Sequence, residues 1–213
     1  MIVKKVFWED PYKTELKTKV KSNENGILTL NETIAYAFSG GQMSDDGTMN
    51  GHNILYAKKV DREIYYKLEQ GHNLETGDDV LIKIDWDKRY KSMKLHFAAE
   101  IILELVNQNF GTPQKIGANI TNEKSRLDFI WDDNISGMFP LLESEAKKII
   151  DSDLPIESAF SDVVNEIRYW RIEGFGQVPC CGTHLKRTGE IGSILLRRNR
   201  LGKSKERIEI FLV

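Results

Sequence analysis

Both cysteines and one of the four histidines of this chain fall in one short run, Cys180-Cys181-Gly182-Thr183-His184. Cys180 and His184 stand four residues apart, and Gly182 between them lets the backbone turn tightly. A thiolate with an imidazole suits a borderline-soft cation, zinc first. Two protein ligands do not make a site. The best candidates for the others lie about eighty residues upstream, where His96 and Glu100 sit at i and i+4 and would project from one face of a helix. The joint pattern is HxxxE followed at long range by CxxxH, giving His96, Glu100, Cys180 and His184 as candidate metal ligands. Taken singly, each has an ordinary alternative. His96 could be a histidine at the margin of an apolar stripe, Glu100 a surface carboxylate, and Cys181 a small buried residue.

The elements that must position these residues can be read from periodicity. Residues 88–105 read as a helix, with Asp87 as N-cap and a broad apolar stripe of Phe97, Ala98, Ile101, Ile102, Leu105 and Val106. Gly111 and Pro113 end it. Upstream the chain is β-rich. Short strands are expected over 27–30, 33–38, 63–68 and 80–84, with a turn at 76–79 and a polar glycine loop at 39–47. Many short strands at close spacing suggest a small barrel. The period changes from two to helical near Asp85-Trp86-Asp87, which divides residues 1–86 from 87–213. Downstream, 116–120 and 126–131 read as a hairpin and 141–150 as a second helix. Two late strands, 191–196 and 207–212, flank a basic turn at 199–204. The fold class is α+β: an N-terminal small β-barrel domain, then an α+β domain with antiparallel sheet and helices.

The 213 residues can bury a sizeable core, and 40% hydrophobic with 29% charged content is ordinary for a globular protein. No apolar run approaches the roughly 20 residues of a membrane helix, and the N-terminus shows no signal-peptide core. A cytoplasmic protein with no membrane partner is expected. The adjacent cysteines make no secreted disulfide framework. Net charge is only −2, yet it is unevenly spread. From His184 to Arg207 there are eight basic residues against Glu190 and Glu206, while acidic residues gather between Glu143 and Glu173. Such a patch can hold a phosphate backbone even on an acidic chain; a solvated hairpin is the plainer reading.

Four pieces in this order resemble a known family: Gly40-Gly41-Gln42-x-x-Asp45-x-Gly47; Asp85-Trp86-x-x-Arg89-x-x-x-Met93-x-x-His96; Cys180-x-Gly182-Thr183-His184; and Thr188-Gly189-Glu190-Ile191-Gly192 with Glu206-Arg207-Ile208-Glu209. Together they look like the freestanding alanyl-tRNA editing proteins (AlaX), relatives of the editing domains of alanyl- and threonyl-tRNA synthetases. The resemblance spans roughly residues 30–213, and the chain length is that of the medium-sized members. It implies an N-terminal β-barrel, an α+β editing domain, a zinc site from HxxxH and CxxxH, and hydrolysis of serine or glycine from mischarged alanine tRNA. It further implies that Gly40, Gly41, Gln42 and Thr183 bind the aminoacyl end, with Gln42 orienting a ribose hydroxyl or the ester carbonyl. Plain turn residues are the alternative for Gln42 and Thr183. Arg197, Arg198, Arg200 and Lys203 of the basic hairpin are the expected contacts to the tRNA acceptor end. Oligomeric state is not legible.

This sequence departs from the family pattern at Glu100, where a second helix histidine is usual, at Cys181, and at Ser39. Glu100 could ligate the metal, act as a catalytic base beside it, or mark a catalytically retired tRNA-binding relative with an altered metal site. A metal-dependent hydrolase of another small ester is a further option.

Overall fold

The computed structural model describes residues 2–213. The chain forms two compact units, one from residues up to Ser39 together with Met43–Tyr90, the other from Gly40–Gln42 with Lys91–Val213. The class is α+β with mostly antiparallel sheets.

In the first unit the strands are β1 (Glu15–Glu24), β2 (Ile27–Leu30), β3 (Gly47–Met49), β4 (His52–Val60), β5 (Glu63–Leu68) and β6 (Asp79–Ile84). Antiparallel pairing runs β1-β2-β5-β4-β3-β6 and returns to β1, so the six strands close on themselves. Alternate residues fill the interior, among them Leu16, Val20, Leu28, Leu30, Ile64, Tyr66, Val80 and Ile82. Strands β1, β3 and β4 have no counterpart in the sequence-based expectation. In β1 the outward positions are Glu15, Lys17 and Lys19, so a strand with an apolar inner side reads as a polar tract.

The expected strand at 33–38 is a correction. Only Glu32–Thr33 pairs as strand, in parallel with Lys4–Lys5. Beyond it Phe38 makes an isolated bridge to Lys58, and between Thr33 and Phe38 the backbone finds partners off any ladder. The carbonyl of Ile34 accepts from Nη2 of Arg89 at 2.7 Å, and the Tyr36 amide donates to Oδ2 of Asp45 at 2.6 Å. Arg89 is buried, donates from Nε to Oδ1 of Asp45 at 2.7 Å and pairs Nη2 with Oδ2, while Nη1 reaches the Pro11 carbonyl at 3.0 Å. Asp45 and Arg89, two positions of the quoted motifs, are therefore a fully bonded buried ion pair that orders irregular chain.

Helix α1 (Trp86–Asn109) follows. Its cap is Asp85, whose Oδ1 accepts the Lys88 amide at 3.1 Å. The expected cap, Asp87, lies inside the first turn, because a carboxylate reaches amides two or three residues ahead. The second unit contains β7 (Lys115–Ile120), β8 (Ser125–Ile130), α2 (Phe139–Asp151), β9 (Glu157–Asp162), β10 (Ile167–Ile172), β11 (Gly176–Pro179), β12 (Ile194–Gly202) and β13 (Lys205–Leu212). One sheet has the order β12-β13-β8-β7, the other β9-β10-β11. Leu127, Phe129, Leu196, Ile208 and Ile210 are buried on one side of the four-stranded sheet, and the Ser125 hydroxyl donates to the Leu95 carbonyl of α1.

The late hairpin also corrects its expectation. Thr188–Ile191 is a single 3₁₀ turn, and β12 runs on through the positions expected as a basic turn. Arg197 to Arg200 pair with Glu209 to Glu206, leaving Lys203 and Ser204 as the tip. Among the described residues no helix is long and apolar enough to cross a membrane.

Candidate metal centre

Three elements of the second unit bring the HxxxE and CxxxH residues together. Helix α1 carries His96 and Glu100 one turn apart. Strand β11 ends at Pro179 and delivers Cys180, and the following tight loop returns His184. His96, Cys180 and His184 form a group able to hold a metal ion, their donor atoms all within 4.8 Å of one another. Sγ of Cys180 lies 3.5 Å from Nε2 of His96 and 3.2 Å from Nε2 of His184. Glu100 stands outside that group of three but touches two of its members. Its Oε1 is 3.3 Å from Nε2 of His96 and 3.4 Å from Sγ of Cys180. Both histidines are buried, while Cys180 and Glu100 are partly open to solvent.

Glu100 and His184 are each aimed by a hydrogen-bonded neighbour. The indole Nε1 of Trp170 donates to Oε2 of Glu100 at 2.9 Å, which leaves Oε1 to face the histidine and the thiol. Nδ1 of His184 lies 2.8 Å from the hydroxyl of Ser158, so Nε2 is left for the cluster. Nδ1 of His96 is buried without a hydrogen-bond partner. Its ring is instead set by packing, since a Cβ built on Gly182 would overlap that ring and come 2.8 Å from Oε1 of Gln42. Gly182 is thus required for close approach, beyond the turn it was expected to permit.

The electrostatics favour a cation. Burial alone would push His96 down, but its neighbours Cys180 and the Glu100 carboxylate carry it up to about 10. Burial would raise Glu100, and the imidazolium of His96 with the Trp170 indole hold it down at about 2. Burial and the adjacent charge of His96 push His184 well below the usual imidazole range, so it stays neutral and available as a ligand. A positive charge is wanted at this point, and a metal ion competes with the proton for it.

The remaining expected residues are placed as follows. Gln42 is only 1% exposed; its Nε2 donates to Oγ1 of Thr183 at 2.8 Å, and its Oε1 accepts the Thr183 amide at 3.1 Å. Gln42 therefore clamps the Cys180–His184 loop. Gly41 has φ +90°, its carbonyl accepts the Ile120 amide at 2.7 Å, and a Cβ there would meet the Ala118 carbonyl oxygen at 2.8 Å. Gly40, at φ +60°, completes the turn. The thiol of Cys181 sits 3.5 Å from the Glu166 carbonyl and does not join the cluster. Arg198 is bound to Glu206 through two bonds of 2.6 Å. Arg197 and Arg200 are exposed along β12, and Lys203 is exposed at the tip. Trp170 and Ser158 were not anticipated. The alternation in Ile167–Ile172, with Arg168, Trp170 and Ile172 inward, was the available signal.

Residues 167–209, which contain Trp170, Cys180 and His184, match the family model described as the threonyl and alanyl tRNA synthetase second additional domain. That is the class of domain to which this part of the chain corresponds. Over 215 residues the chain is 31% identical to alanyl-tRNA editing protein AlaX-M of Pyrococcus horikoshii, covering 99% of this chain and 98% of that one. It is 30% identical over 240 residues to the AlaX-M protein of Methanosarcina barkeri, covering 98% of each. It is also 29% identical over 225 residues to an alanine–tRNA ligase of Methanococcus maripaludis, of which it spans 25%. The chain belongs to the AlaX-M family of alanyl-tRNA editing proteins.

Proposed function

We propose that this chain is a trans-editing hydrolase that deacylates mischarged alanine tRNA, Ser-tRNA(Ala) or Gly-tRNA(Ala), at a zinc site. The observation that carries the reading is the convergence of His96, Glu100, Cys180 and His184 in a chain so similar, end to end, to alanyl-tRNA editing proteins. The donor set suits zinc. A tetrahedron with bonds of about 2.0–2.3 Å has edges of about 3.3–3.8 Å, and four donor–donor distances here are 3.2, 3.3, 3.4 and 3.5 Å. Its contacts with His96 and Cys180 would let Glu100 join as a further ligand beside the three residues whose donor atoms all lie within 4.8 Å of one another.

Bound there, zinc supplies a Lewis acid able to polarise an ester carbonyl. The protein's own groups do the rest. Trp170 keeps the Glu100 carboxylate turned inward, Ser158 fixes the ring of His184, and Gln42 holds Thr183 so that the loop carrying both CxxxH donors keeps its form. Gly40 and Gly41 lead the chain into Gln42 through conformations that favour glycine. Standing off the metal, Glu100 would instead be placed as a base beside it.

The test is a deacylation assay with Ser-, Gly- and Ala-tRNA(Ala), using zinc-loaded and chelator-treated protein. Hydrolysis of Ser- or Gly-tRNA(Ala) with sparing of Ala-tRNA(Ala), lost on chelation and restored by zinc, is the expected result. Zinc-loaded protein that leaves all three esters intact while still binding tRNA identifies a retired relative instead.

A further inference from the structure

The basic residues of the late hairpin look like one patch along the chain, but pleating divides them. In β12 Arg197 stands opposite Glu209, whereas Arg198 and Arg200 stand opposite Ile208 and Glu206. Ile208 and Glu206 are buried, so Arg198 and Arg200 lie on the core-facing side of the sheet and Arg197 on the other. On that outer side Arg126 is paired in register with Glu209, and Asp128 with Arg207. Lys124, in the turn before β8, reaches Oε1 of Glu209 at 2.7 Å. Arg126 and Arg207 both bond to Asp128, Arg207 from Nε at 2.7 Å. The carboxylates are the sheltered members of this layer, with side-chain exposures of 9% for Asp128 and 12% for Glu209, against 43% for Lys124 and 30% for Arg126. Lys124, Arg126 and Arg207 thus cover two carboxylates, Arg207 being the most sheltered of them at 20%, and Arg197 stands exposed beside Glu209 on the same side. Between two of them lies an aromatic ring: the guanidinium of Arg197 is 5.0 Å, and the ammonium of Lys124 5.8 Å, from the centre of Phe211.

We infer that this outer side of the four-stranded sheet, built by Lys124, Arg126, Arg197 and Arg207 around Phe211, is where the protein holds the phosphate backbone of its RNA, and that the hairpin tip is not. The inference rests on the proposed function for the identity of the RNA as tRNA. The excess of positive charge is complementary to phosphates. The carboxylates beneath keep the guanidiniums flat and ordered, so less side-chain freedom is lost when phosphates arrive. Cations packed on an aromatic ring are held in place in the same way. Contacts of this kind orient an RNA without reading its bases. Arg198, tied to Glu206, and Arg200 point to the opposite side and cannot share the same backbone track.

The experiment compares binding of an uncharged tRNA(Ala) transcript by full-length protein across a salt series. Lys124→Ala/Arg197→Ala is expected to weaken binding about tenfold and to reduce the slope of log affinity against log salt by about 1.5, the effect of two lost phosphate contacts. Arg200→Ala/Lys203→Ala is expected to stay within about twofold of the parent, and unchanged thermal unfolding midpoints guard against misfolding. Wild-type protein that binds through this face but leaves Ser-tRNA(Ala) intact overturns the proposed reaction and supports the surface. An outer-face variant with parental affinity and salt slope, in a protein that does hydrolyse the ester, overturns the surface. So does a wild-type protein that fails to bind tRNA at all.

Discussion

The indole of Trp170 and the carboxylate of Glu100, 70 residues apart in the chain, are joined by a 2.9 Å hydrogen bond that divides the work of one side chain between its two oxygens. Oε2 belongs to the indole, and Oε1 belongs to the His96 and Cys180 side. Trp170 has no exposed surface and packs its ring edge-on to Phe97 at 5.3 Å, so the donor cannot swing away. Trp170→Phe keeps the packing and removes the donor. Zinc affinity is expected to fall about 10–100-fold, as for other partners of metal ligands, with the fold unchanged. Competition with a chromogenic chelator measures it.

Replacing Glu100 separates its possible parts. As a ligand, Glu100→His should keep one zinc per chain and preserve or raise deacylation, because an imidazole can serve the same position. As a proton acceptor, the same change should leave zinc bound and abolish turnover. Metal analysis and single-turnover hydrolysis on one sample decide between them; the ligand outcome is expected.

Gly182→Ala should be the most damaging small substitution in the loop. The added methyl overlaps the His96 ring and crowds the Gln42 amide, and both are buried. A cost of about 1–3 kcal/mol is expected for overpacking of this kind, together with loss of stoichiometric zinc. Chemical denaturation and metal content check the two effects. Retained zinc with parental stability would show that the ring is free to move.

The Asp128 carboxylate gives a pH test away from the cluster. Burial would raise it, but hydrogen bonds from Arg207 and Arg126 hold it below the ordinary aspartate value. A folded-state pKa below the unfolded one means stability that is complete above the unfolded value of about 3.9 and lost as pH falls through the folded one. Asp128→Asn should therefore cost about 2 kcal/mol at pH 7, the scale of hydrogen bonds to charged groups. The gap to the parent should close below about pH 4, as urea melts at several pH values would reveal.

The cluster was legible because its spacings are short. Two residues four apart on a helix, and two across a glycine turn, declare their chemistry locally. What aims them was not legible, because Ser158 and Trp170 come from β9 and β10, where half-polar alternation in Glu157–Asp162 and Ile167–Ile172 is easily taken for irregular chain. The same weakness hid β1, whose outward lysines mask Leu16, Thr18 and Val20. The stretch after Thr33 failed in the opposite sense. Ile34, Ala35, Tyr36 and Ala37 are as buried as strand residues, yet Arg89 and Asp45 take up the backbone groups that a ladder would need. Gln42 was singled out for a part at the substrate, but only coordinates reveal that both ends of its amide are engaged by Thr183.

The alternation along β12 makes the basic side of the sheet a matter of parity. Deleting one residue early in that strand would turn Arg198 and Arg200 outward and Arg197 inward, with composition and net charge almost untouched. Two homologues with the same number of arginines there could thus present opposite fields to a polyanion, and aligning them by charge alone would miss it.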